Sequence, residues 1–178
     1  KRHGICLIPE DRRRNGIVPD FTVRENTTIA FLRRFTGRLG LIRQKRERAS
    51  VEEFCAKLQV KTPGTEVPVK TLSGGNIQKV LLGREIDMNP QLIITAYPVR
   101  GLDIGASYNI YDILNQQKQK GVGILFIGED LDVLLGLCDR LMVIHDGELM
   151  GIVDPKEVTK EDVGLLMLGH PMEEVKAC

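Results

Sequence analysis

Ser73, Gly74 and Gly75 stand directly before an apolar-periodic stretch in which Ile77, Val80 and Leu81 recur at i, i+3 and i+4. Small residues with open backbone N–H groups at a helix N-terminus suit an anion such as a phosphate, because the helix dipole adds partial positive charge there. The same residues also make an ordinary helix cap, so alone they decide little. The sequence that follows narrows the choice: Leu92-Ile93-Ile94-Thr95-Ala96 predicts a buried strand, followed by Pro98 and then by Arg100-Gly101-Leu102-Asp103.

Regular elements must hold these residues in place. Ile5-Cys6-Leu7-Ile8 predicts a short buried strand stopped by Pro9. Thr22 and Glu25 form a capping-box pattern that should open a helix running to about Phe35. Val51, Phe54, Cys55 and Leu58 share one face of a second helix; either Ser50 caps it or the polar run 44–48 extends it backward. A third helix is expected over 76–87. Residues from about 20 to 88 therefore read as a mostly helical block, and α/β alternation resumes at Leu92. There the pattern predicts a helix over 106–119 with Ile110, Ile113 and Leu114 inward, a strand over 124–127 and a short helix over 131–137. Strands 141–144 and 148–152 should form a hairpin on an Asp146-Gly147 turn, and Thr159 with Asp162 should cap a last helix through Leu168. Residues 172–178 read as a loose tail.

The order Leu72-Ser73-Gly74-Gly75-Asn76, buried strand, Arg100-Gly101-Leu102-Asp103 resembles the nucleotide-binding subunits of ABC transporters: a signature motif, a Walker B strand and a D-loop. Pro9-Glu10-Asp11-Arg12-Arg13-Arg14-Asn15-Gly16 resembles the loop that replaces the Q-loop in the second ATPase half of bacterial sugar and nucleoside importers. Gly128-Glu129-Asp130-Leu131-Asp132, then Cys138-Asp139-Arg140, is similar to the switch region of that half. The resemblance implies an α/β fold, an incomplete P-loop NTPase core carrying a helical subdomain. Its parts would be 1–19 (Q-loop-like strand and loop), 20–88 (helical subdomain), 89–170 (core with Walker B-like strand, D-loop and switch) and 171–178 (tail).

No G-x-x-x-x-G-K-[ST] occurs in the sequence. The family places that loop upstream of Pro9-Glu10, so the expectation is a fragment whose Walker A half lies elsewhere; a natural protein without one is the alternative. Aligned on Pro98, the family's magnesium-binding Asp and water-polarising Glu fall on Ala96 and Tyr97. Alanine cannot coordinate a metal, and a phenol with a reference pKa of about 10 is a poor base at neutral pH. The switch histidine aligns with Glu129 and the Q-loop glutamine with Glu10, so no catalytic position is expected to be intact and no metal site is expected. The signature and D-loop match the family, and there two domains stack head to tail. Ser73, Gly74, Gly75, Asn76 and Asp103 are therefore expected to serve ATP and magnesium bound mainly by a partner domain. The implied setting is a bacterial ABC importer for a sugar or nucleoside, at the cytoplasmic face of the membrane. Its partners would be the other ATPase domain, transmembrane permease subunits and, indirectly, a solute-binding protein. A catalytically dead interaction module and a non-transport ABC ATPase are the rival readings.

Composition bounds the rest. A formal net charge of +1 over 178 residues and the absence of Trp argue against a nucleic-acid binder. Cys6, Cys55, Cys138 and Cys178 have no metal-ligand spacing and read as reduced thiols, with Cys6 and Cys55 buried. The 42% apolar content supports a folded core, yet a sheet lacking strands would expose an apolar edge. The basic cluster Arg33, Arg34, Arg38, Arg43, Lys45, Arg46 and Arg48 is either a solvated face or a docking surface for a membrane subunit.

Overall fold

The computed structural model describes residues 4–38 and 40–171, so the expected tail at 172–178 lies outside the described residues. The chain divides into two compact units, Lys1–Ile127 and Gly128–Cys178. In the first, β1 (Ile5–Ile8), β2 (Leu92–Ala96) and β3 (Gly123–Ile127) form a parallel sheet in the order β1-β2-β3. Side chains alternate across it: Cys6, Ile8, Ile93 and Thr95 are buried, while Ile5, Leu7, Leu125 and Ile127 are exposed. Parallel strands are ordinarily apolar on both faces because both faces are covered. The anticipated apolar exposure is therefore a sheet face rather than an edge.

The covered face meets α3 (Gly74–Ile86), on which Ile77, Val80, Leu81 and Leu82 have no exposed surface. Each such side chain contributes about 1.5–3 kcal/mol by leaving water. The remaining faces of α3 meet α1 (Val23–Thr28), α4 (Ile104–Gln119) and the C-terminal end of α2 (Gln44–Lys57). The crossing with α2 demands glycine: a Cβ on Gly83 would lie 2.1 Å from Leu58 Cδ1 and 2.6 Å from Phe54 Cζ.

The capping box at Thr22 is present, with Glu25 Oε2 accepting from the Thr22 amide at 2.8 Å. The helix it opens stops at Thr28 rather than near Phe35. Thr27, Thr28 and Ile29 are β-branched, and the Thr27 hydroxyl donates back to the Val23 carbonyl, which weakens the helix. The chain then turns so that Phe31 and Phe35 are both buried, with ring centroids 6.2 Å apart. Ser50 caps nothing: α2 begins at Gln44, and Ser50 lies inside it. That start follows Glu47, which is 1% exposed and accepts from Thr28 Oγ1 at 2.8 Å and from Arg24 Nη1 at 2.7 Å. Two of the clustered basic residues are already paired, Arg34 with Asp87 at 2.8 Å and Arg48 with Glu66 at 3.4 Å. Cys6 and Cys55 are buried, and burial followed by the Glu52 charge pushes the Cys55 thiol up.

The second unit opens with α5 (Leu131–Leu137), capped by Asp130. The antiparallel strands β4 (Leu141–His145) and β5 (Glu148–Val153) turn through Asp146 and Gly147, whose φ values of 48° and 83° mark the left-handed turn that Asp-Gly favours. A bulge falls between Val143 and Ile144. Val163 and Leu166 on α6 (Lys160–Met167) are buried with Leu141, Val143 and Val153 of the hairpin, while Met142, Ile144, Leu149 and Ile152 are exposed. Among the described residues no helix is long and apolar enough to cross a membrane.

Hydrogen bonds from Thr22 hold the Glu25 carboxyl below its ordinary value, and bonds from Arg24 do the same for Glu66. A carboxyl depressed in the folded state stabilises it above the unfolded pKa, and that stability is lost as pH falls through the folded value. Urea unfolding between pH 7 and 3 should therefore show stability declining below the unfolded carboxylate value of about 4.3, less steeply in Glu25→Gln.

Candidate functional site

Ser73 is the N-cap of α3, extended at φ −62° and ψ 157°. Its Oγ accepts from the Asn76 amide at 3.4 Å and from Asn76 Nδ2 at 2.9 Å. Asn76 Oδ1 in turn accepts from the Lys61 amide at 2.8 Å, which ties the cap to the loop after α2. The Ile77 amide makes the first ordinary helix bond, to Ser73 O, so the cap provides for one of the N–H groups that a helix start leaves without acceptors, that of Asn76. Those of Gly74 and Gly75 precede them, and Gly74 is half-exposed while Gly75 is buried.

A close approach requires glycine at 75, and a looser one crowds 74. A Cβ on Gly75 would lie 2.8 Å from Ala106 Cβ on α4. A Cβ on Gly74 would lie 3.3 Å from Leu102 Cδ2 and 3.1 Å from Arg12 Nη2. The predicted signature and D-loop residues thus come together. Asp103 stands at the start of α4 as its N-cap, its Oδ1 accepting from the Ala106 amide at 2.8 Å. That is a structural duty not foreseen for it.

The strand end is built differently. Ala96 closes β2, and Tyr97 then takes φ +47°, a left-handed backbone unusual for a bulky residue. Its amide donates to Ile127 O at 2.8 Å and its carbonyl accepts from the Arg100 amide at 3.1 Å, closing the turn. Among the described residues no cluster of three or more His, Cys, Asp or Glu could hold a metal ion. With alanine at 96 and a phenol at 97, the residues present do not fit magnesium. Glu10 forms an ion pair with Arg100, and Glu129 is exposed in the second unit.

Arg12 is the residue that the sequence underrated. Asp11 caps a single wide turn over Arg12–Gly16, its Oδ1 accepting from the Arg13 and Arg14 amides at 3.1 and 3.0 Å. From that turn Arg12 reaches across to donate Nη1 to Arg100 O at 2.9 Å. Burial, then repulsion from Arg13, pulls its pKa below the ordinary arginine value. The sequence placed Arg12, Arg13 and Arg14 together in the Q-loop-like segment, which by resemblance relays nucleotide state to a membrane subunit, and nothing local singles out Arg12 among them.

The fold is that of an ATP-binding cassette ATPase. The structure matches a dimeric ATP-binding cassette, MJ0796, in a post-hydrolysis state bound to ADP and phosphate, with a TM-score of 0.68 and 20% identity, covering 85% of this chain and 64% of that one. It matches cbiO1 of Clostridium perfringens, part of the ABC transporter complex cbiONQ, with a TM-score of 0.69 and 20% identity, covering 99% of this chain and 67% of that one. No protein-family model matches the chain.

Sequence relatives carry the assignment further. A putative ribose/galactose/methyl galactoside import ATP-binding protein of Pseudomonas savastanoi pv. phaseolicola is 44% identical over 167 residues, 94% of this chain and 32% of the relative. The xylose import ATP-binding protein XylG of Escherichia coli O6:K15:H31 is 41% identical over 160 residues, 90% of this chain and 31% of the relative. The chain is a homologue of the ATP-binding proteins of ABC sugar importers and spans about a third of their length.

The Gly75–Ala106 approach yields a direct check. Gly75→Ala should lower unfolding free energy by about 1–3 kcal/mol, as overpacking does, and adding Ala106→Gly should restore part of it. Denaturant titration of the single and double variants measures both.

Proposed function

We propose that this chain is part of the ATP-binding subunit of an importer for a sugar or nucleoside, and that its signature end completes an ATP site held by another ATPase domain. The observation that carries the reading is the start of α3, with Ser73 exposed, Gly74 half-exposed and the glycines packed against Leu102 and Ala106, in a chain whose β2 end offers no carboxylate. A helix start of this kind supplies backbone N–H groups and a dipole to a phosphate from outside. Ser73 Oγ already accepts from Asn76, so its hydroxyl hydrogen is the group it has to donate.

When bound, magnesium and ATP would bring phosphoryl-transfer chemistry, in which positioning and electrostatics supply most of the catalysis. This chain's part is to close over the terminal phosphate, orient it and exclude water. Its own altered positions, Ala96, Tyr97, Glu129 and Glu10, offer neither a metal ligand nor the family's base. The local site is accordingly degenerate.

The sugar-import names of the relatives favour transport over the non-transport reading. Residues 20–88 then act as the helical subdomain, facing transmembrane permease subunits at the cytoplasmic face of the membrane, and a solute-binding protein acts on the far side. Nothing in this proposal calls for nucleic acid.

Ser73→Arg in the full ATP-binding subunit, assembled with its permease, should cut ATP turnover about 100-fold, the scale of losing one preorganised donor. Undiminished turnover overturns the proposal.

A further inference from the structure

Three segments far apart in sequence meet at one guanidinium. Arg12 Nη1 donates to Arg100 O at 2.9 Å. Its Nη2 lies 3.1 Å from where a Gly74 Cβ would stand and 3.9 Å from where a Gly101 Cβ would stand. Arg100 answers in the opposite direction, its side chain pairing with the Glu10 carboxylate. The contact is thus reciprocal: each of the two turns gives the other a side chain.

We infer that Glu10 and Arg12 latch the turn after β1 to the turn after β2, and so act as positioning residues that aim the Ser73–Gly74 end of α3. The inference rests on the proposed function, since aiming matters only if that end meets a nucleotide. It gives Glu10, a position where a catalytic group is lost, a use of its own.

Stability does not explain the arrangement. Glu10 and Arg100 side chains are 44% and 63% exposed, and exposed pairs add little to folding. Arg12 Nε is buried with no hydrogen-bond acceptor among the described residues. Burial and the Arg13 charge both disfavour the charged guanidinium, and the Asp11 carboxylate offsets part of that. An arrangement that costs free energy and persists is one whose geometry is used.

The far end of the same turn is tied to the C-terminal half of α3. Arg84 Nη2 donates to Gly16 O at 2.8 Å, and a Cβ on Gly16 would lie 2.6 Å from Leu81 Cδ2. The turn therefore runs alongside α3, anchored in its C-terminal half and latched at its start. Moving the Arg12 end moves the contact on Gly74 without disturbing the anchored end.

The test uses the full ATP-binding subunit with its permease. Arg12→Ala should raise KM for ATP about tenfold or more, as misplacement of a binding group does, with kcat at saturation nearly kept. Arg12→Lys, which can still reach Arg100 O, should recover part of that rise. Amide hydrogen exchange should quicken at residues 73–77 and 99–103 in Arg12→Ala and stay unchanged elsewhere. Should Arg12→Ala fail to fold, the charge swap carries the test: Glu10→Arg and Arg100→Glu each raise KM, and together they restore it. An unchanged KM in these variants, with Ser73→Arg still abolishing turnover, overturns the latch and leaves the proposed function standing. If Ser73→Arg itself leaves turnover intact, both fall.

Discussion

The close approach of α3 to α4 at Gly75 is the constraint on which the first unit depends. A missing Cβ lets Ala106 come near enough that the start of α3 and the turn before α4 share one small region. Elsewhere α3 is buried nearly all round, as expected of a helix that is apolar on several faces and central to its layer. Its position is thereby fixed from the sheet side by Ile8 and Ile93 and from the helical side by Val23 and Val51. The Ser73 cap is rigid because the helix behind it cannot shift.

A rigid helix start and an inert strand end make a coherent pair. The first offers N–H groups, a hydroxyl and a dipole, all suited to receiving charge rather than to moving a proton. The second offers a methyl group and a phenol on a strained left-handed turn. On the proposed reading, the helix start serves a site held by another domain, while this chain's own strand end lacks the family's chemistry.

Local chemistry was the part most legible in the sequence. The caps at Thr22, Ser73 and Thr159 and the Asp146-Gly147 turn depend on neighbours within a few residues, and they stand where their residue types put them. The strands followed from short apolar runs, and Ile110 and Leu114 from helical period. What escaped depended on contacts across the fold. The end of α1 is set by burying Phe31 and Phe35, and the start of α2 by the buried Glu47 between Arg24 and Thr28. For the site, the types and order of residues 73–76 and 100–103 were visible, whereas the Arg12 and Glu10 contacts with Arg100 join positions 88 and 90 residues apart. No local pattern encodes such a pairing.

The central claim is that this chain contributes to a nucleotide site without holding nucleotide itself. Calorimetric titration of Mg-ATP, first into this chain and then into the partner ATPase domain with and without it, tests that directly. The account predicts no binding by this chain and tighter ATP binding by the partner once the chain is added. Tight binding by this chain on its own would contradict it.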